Sequence, residues 1–167
     1  CFMGLWETEE DKINFFLEGD FWKTYTTKGK LTQEIIAKPV KTHGSWDGSN
    51  PFKDNLSAPA EGPIVVLTRG LIKPRFLYRF WTQVPKASEP VPSSAGHIFS
   101  KGVGELPLIQ QATVSVWTSQ EAMYDYAYRN EKHQKVIKMT RDLGWYKEDM
   151  FTEFNRTAAT PELISTV

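Results

Sequence analysis

Residues 64–72 read IVVLTRGLI and residues 97–118 read HIFSKGVGELPLIQQATVSVWT, and these two stretches decide the fold. The first is rich in β-branched residues and lies between Pro63 and Pro74, which marks a strand with turn residues on either side. The second divides at Gly104-Glu105-Leu106-Pro107 into strands 97–103 and 109–118 that pair across the turn. Helical periodicity predicts a helix over 73–82 and a long one over 120–143. Residues 148–154 read as a short helix. From residue 64 the order follows the split β-α-β-β-α-β pattern, called ferredoxin-like.

Upstream, residues 2–8 predict a strand, 9–26 a helix and 31–41 a strand, which supplies only the last three elements of such a unit. Residues 43–63 carry Asp47-Gly48, Asn50-Pro51, Ala58-Pro59 and Gly62-Pro63 and predict a turn-rich connector. The expected class is α+β. Residues 1–42 would be the C-terminal part of a first ferredoxin-like half, 43–63 the connector and 64–167 a complete second half. Two such repeats would form a dimeric α+β barrel-type fold, the first repeat N-terminally incomplete. An internal echo points the same way. Gly4-Leu5-Trp6-Glu7-Thr8 and the helix behind it resemble Ser115-Val116-Trp117-Thr118-Ser119 and its helix, 111 residues later. Pro85, Pro90 and Pro92 predict an irregular loop over 85–97 that borders a ligand pocket.

Twenty basic and twenty acidic residues cancel, so the electrostatic footprint of a general nucleic-acid binder is missing. The single cysteine, Cys1, excludes an intramolecular disulfide framework and any multi-cysteine metal cage. The longest uninterrupted apolar run, Ile64 to Leu67, is far too short to span a bilayer. No charged leader followed by an apolar segment opens the chain, which predicts a cytoplasmic protein lacking an N-terminal piece of its natural length.

The helix over 120–143 turns its charges to one side and Ala122, Met123, Tyr126, Asn130, His133 and Ile137 to the other. His133 on that stripe has two readings. One is a core histidine hydrogen-bonded to a neighbour; the other is an axial haem ligand, with Tyr126 and Ile137 as its apolar wall. Arg75 and Arg79, one turn apart, could reach haem propionates or belong to a solvated helix face. His43 and His97 read as surface or turn residues. Glu105, Glu148 and Asp149 are not paired for acid–base work.

Ser45-Trp46-Asp47-Gly48 with Pro51-Phe52, Leu67-Thr68-Arg69, Arg79-Phe80-Trp81, the run from Gly102 through Pro107, Gln110-Gln111, Thr113 and Ser115 to Trp117, then His133, Gly144-Trp145 and Phe154, together resemble the spheroidene monooxygenase family. These are acyclic carotenoid 2-ketolases. The resemblance implies a haem-containing monooxygenase of the dimeric α+β barrel superfamily, with His133 as the iron's axial ligand and Tyr126, Ile137 and Arg79 around the haem. It implies O₂-dependent ketolation of a linear carotenoid, an electron donor, a homo-oligomer and peripheral contact with a membrane. A non-enzymatic haem-binding protein, and a metal-free small-molecule-binding or dimerisation module of the same barrel class, are the alternatives.

Overall fold

A computed structural model describes residues 3–28, 34–88, 91–106, 108–129, 134, 138–140 and 142–157. Its centre is the strand read first from the sequence, observed as β2 (Ile64–Ile72). A run of β-branched and leucine side chains buried on both faces suits the middle of a sheet, where each face meets another layer. β2 pairs antiparallel with β4 (Gln110–Trp117) on one side and β5 (Tyr146–Thr157) on the other. β3 (His97–Leu106) adds outside β4, and β1 (Ile36–Gly44) outside β5. The order is β1-β5-β2-β4-β3. Without β1 it is the ferredoxin-like arrangement that the β-α-β-β-α-β order predicts.

The even-numbered side chains of β2 and their cross-strand partners form the face that carries the helices. Ile64 and Val66 lie under α4 (Gln120–Arg129), and Ile72 lies under α3 (Leu77–Ser88), where Phe80 and Trp145 close over it. The odd-numbered face holds Val65 and Leu67 with Val116, Phe154 and Thr152. Phe52 of the connector covers it, edge-on to Phe154 at 5.1 Å.

Four expectations need correction. Residues 148–154 are not a helix but the middle of β5, which is also the sixth element the pattern requires. Their side chains alternate with period two, Met150, Thr152 and Phe154 to one face and Phe151 and Glu153 to the other. Residues 3–8 make no strand. The helix over 9–26 is two helices, α1 (Glu9–Glu18) and α2 (Asp20–Lys28), broken at Gly19, whose extended backbone cannot continue a helix. The loop over 85–97 is largely ordered structure. After a 3₁₀ turn at Pro74–Phe76, α3 runs past Pro85 to Ser88, and a second 3₁₀ turn spans Val91–Ser93. A proline removes one helical hydrogen bond without forbidding the helix.

The described helical part of 120–143 is α4 together with 134, 138–140 and 142–143. The hairpin turn lies beyond Leu106 rather than at 104–107, closed by the Ile109 amide donating to the Leu106 carbonyl at 3.1 Å. Contacts divide the chain into two compact units, 36–157 and a second comprising 1–35 with 158–167. β1, read as the end of a first half, thus belongs to the sheet of the larger unit. In the smaller unit Thr8 and Asp11 form a capping box at the start of α1, and Trp6, Phe15, Phe16 and Trp22 pack ring against ring.

One charged residue is built into the odd face. The Arg69 side chain is fully buried, donating to Glu148 Oε2 and Asp47 Oδ1, each at 2.9 Å, with the Trp46 ring 4.7 Å from its guanidinium carbon. Asp47 and Gly48 both have positive φ, the geometry of a tight two-residue hairpin turn, which explains the Asp-Gly pair. That turn aims the amides of Gly48 and Asp47 and the Ser45 hydroxyl at Glu148. Gly44 leads into it at φ +82°, where a β-carbon would collide with the Asp149 carbonyl oxygen.

Two outcomes follow from this clamp. Gly44→Ala combines the left-handed backbone cost of about 1–2 kcal/mol with that collision, so thermal unfolding should move down by roughly 4–8 °C. Glu148 is held at about 2 by the Gly48 amide first, then by the Ser45 hydroxyl, Arg69 and the Asp47 amide, against an opposing desolvation. A carboxylate with a lowered folded pKa contributes stability above its unfolded pKa of about 4.5 and loses it as pH falls toward about 2. Urea midpoints of wild type should therefore fall between about pH 5 and pH 2 more steeply than those of Glu148→Gln. Parallel slopes would remove the clamp as a source of acid sensitivity.

Candidate functional site

The helix-bearing face carries an aromatic layer. Ile64, Val66, Trp117 and Met123 are buried there, with Val91, Tyr124, Tyr126 and Phe151 packed against them. Trp117 is 2% exposed, and its indole N–H donates to Ser115 Oγ at 3.0 Å, which fixes the ring plane. Tyr126 stacks on it at 5.2 Å and 29°, and His97 meets it edge-on at 5.2 Å. α4 is set over this layer by Ser119, whose hydroxyl accepts from the Ala122 amide at 3.2 Å. Burial pushes the Tyr126 hydroxyl up to about 12, so it stays neutral at working pH. His97 Nε2 is buried and has no hydrogen-bond partner among the described residues.

A charged corner adjoins the layer. The Glu153 side chain is 1% exposed, and its carboxylate accepts from Gln120 Nε2 at 2.7 Å and from the Tyr124 hydroxyl at 3.1 Å. The Lys41 ammonium lies 3.5 Å from Glu153 Oε1 and donates to the Tyr124 oxygen at 3.1 Å. Lys41 is itself exposed, and the Tyr124 hydrogen bond, with Glu153 behind it, holds its pKa above the ordinary lysine value. Burying a carboxylate costs several kcal/mol unless it is paired and hydrogen-bonded, and this corner supplies both. Gln120 also lines an open cleft of about 400 Å³ between residues 59–62 of the connector and the start of α4.

The residues singled out in the sequence divide accordingly. Tyr126 is in the aromatic layer, as its helical phase predicts. Arg79 is exposed on α3, and Arg75 is exposed with its guanidinium carbon 4.7 Å from the Phe76 ring, so both sit on a solvated surface. His133 and Ile137 lie outside the described residues, as does Asn130. His43 is exposed and stacks on Phe151 at 5.1 Å. His97, read as a turn residue, opens β3 with its imidazole against Trp117. Glu148 is paired, to Arg69. The Lys41–Tyr124–Glu153–Gln120 cluster escaped the sequence reading. The one signal was a carboxylate at an inward position of an alternating strand, and it vanished once 148–154 was read as a helix.

No family model matches the chain. Among solved structures, a Fusobacterium nucleatum protein superposes with a TM-score of 0.54 at 12% identity, over 89% of this chain and 64% of that one. The Rv0793 protein of Mycobacterium tuberculosis superposes at 0.52 with 9% identity, over 59% of this chain and 98% of that one. At such identities the likeness is one of fold alone. Sequence similarity reaches further. The chain is 33% identical over 154 residues to the spheroidene monooxygenase of Rhodobacter capsulatus, covering 91% of this chain and 64% of the relative. It is 35% identical over 150 residues to that of Rubrivivax gelatinosus, covering 90% and 57%. The chain thus spans about three fifths of the length of these curated relatives. Across nine-tenths of its residues, and on a ferredoxin-like sheet, the chain is similar in sequence to the spheroidene monooxygenases.

Proposed function

We propose that this chain is the catalytic part of a monooxygenase that inserts oxygen from O₂ into a linear, carotenoid-like apolar substrate, as a ketolase, with an electron donor supplying the reducing equivalents. The observation that carries the reading is the aromatic layer of Trp117, Tyr126 and Phe151, contributed by a chain 33% identical to a spheroidene monooxygenase. Flat, apolar, water-excluding walls bind conjugated hydrocarbon chains by burial and stacking, while one polar corner at Glu153 gives the site an end with its own chemistry. Substrate of this kind dissolves in lipid, so the proposal includes peripheral contact with a membrane, and a homo-oligomer as the assembled form. No described helix is long and apolar enough to cross a membrane.

The proposed cofactor is haem, which His133 would hold through its imidazole, with Ile137 the further residue that the sequence reading assigns to it. What supports a planar apolar group is the pair of flat rings of Trp117 and Tyr126, stacked on each other, and the buried His97 Nε2 beside them, which has no hydrogen-bond partner among the described residues. Haem would supply O₂ activation, and the protein's part is to bind, orient and keep water out.

The test is reconstitution followed by turnover. Protein loaded with haem should show a Soret band, and His133→Ala should weaken haem retention at least about tenfold, whereas His43→Ala should not. With O₂ and a reductant, the loaded protein should convert a lycopene-like polyene to a product one oxygen atom heavier, and then to a ketone. A Soret band without turnover identifies a haem carrier instead. Neither band nor product overturns the oxygenase reading in favour of a metal-free binding module.

A further inference from the structure

The charged corner beside the aromatic layer is arranged in one direction. Lys41 Nζ, on β1 and exposed, donates to the Tyr124 hydroxyl on α4 at 3.1 Å. That hydroxyl donates in turn to Glu153 Oε1 on β5 at 3.1 Å, and Glu153 is 1% exposed. Each hydrogen bond points inward, from an ammonium in water to a carboxylate under the helix. Gln120 donates to the other carboxylate oxygen at 2.7 Å and holds it in place, since an amide cannot pass a proton on at that bond. On β2 and β4 the same row continues with Val66 and Ser115, which carry no charge, so Lys41 and Tyr124 are the titratable groups facing Glu153 among the described residues.

We propose that Lys41, Tyr124 and Glu153 form a proton route from solvent to the aromatic layer, with Glu153 as its buried terminus. The Lys41 ammonium gives a proton to the Tyr124 oxygen while the Tyr124 hydroxyl proton moves to Glu153 Oε1. Lys41, left neutral, takes its proton back from water. The use of the route rests on the oxygenase reading. Inserting one atom of O₂ into a C–H bond to give C–O–H consumes two electrons, delivered one at a time by a protein donor, and two protons. The second oxygen atom leaves as water. A layer that excludes water to hold a polyene needs a built path for those protons, and this corner is a path whose outer end is wet and whose inner end is dry.

The experiment has two arms. In the first, infrared spectroscopy after a pH jump follows the carboxylic C=O band of Glu153 in the full chain, assigned by its absence in Glu153→Gln. Protonation should slow at least about tenfold in Lys41→Met and Tyr124→Phe. Equal rates in all three proteins overturn the route whatever the enzyme does. In the second, with haem-loaded protein and a polyene, Glu153→Gln and Tyr124→Phe should lower kcat about a hundredfold, the scale of a lost general acid, with KM within about twofold. Formate should restore part of the rate to Glu153→Ala. Rates within about twofold of wild type, or a loss that formate leaves untouched, overturn the proposal. Protonation slowed in Lys41→Met and Tyr124→Phe, together with a wild type that oxidises no polyene, overturns the oxygenase reading and leaves the route standing.

Discussion

Burial of β2 on both faces is the constraint on which the rest of this molecule depends. Ile64, Val65, Val66 and Leu67 are each at most 5% exposed, so the first half of the strand has no solvent side and must be covered twice. The two helices cover one face and the connector helps cover the other, and the neighbouring strands satisfy its amides and carbonyls along both edges. A backbone buried this fully leaves no room for register slip, because moving by one residue would bring Arg69 under the helices and Val66 against the connector. Every residue of the candidate site is positioned from that register.

The elements legible in the sequence are those whose pattern is decided by hydrocarbon. β2 and β4 are dense in β-branched residues, and α4 shows its stripe, so Tyr126 is placed correctly from phase alone. β5 is the instructive failure. Lys147, Glu148, Asp149, Thr152, Glu153 and Asn155 give it the look of a solvated segment, yet Glu148 and Glu153 are withdrawn from water on opposite faces of the sheet. Their partners, Arg69 and Asp47 for one, Lys41, Tyr124 and Gln120 for the other, come from strands and helices tens of residues away. Polarity along the chain reports the side chain, and burial is decided by the compensation it finds in space. The echo around Trp6 is one of sequence pattern alone: 115–117 lie in β4, whereas 4–8 form no strand, because a Trp-terminated apolar run carries no strand hydrogen bonds of its own.

The two paired carboxylates also show two ways in which a fold compensates a charge. Glu148 is met by the fully buried guanidinium of Arg69 on β2, and by two amides and a hydroxyl at a tight turn whose positive-φ backbone Asp-Gly adopts readily. Arginine does not lose its proton, so nothing in that clamp can change state near neutral pH, and its chemistry is spent on geometry. Glu153 is compensated differently. Its closest partners are a phenol and an amide, both neutral, and its one countercharge is a lysine that remains in water. Lysine and tyrosine can both give up a proton and take one back. The same strand therefore carries on one face a carboxylate clamped by an arginine and a tight turn, and on the face with the aromatic layer a buried carboxylate whose one countercharge stays in water.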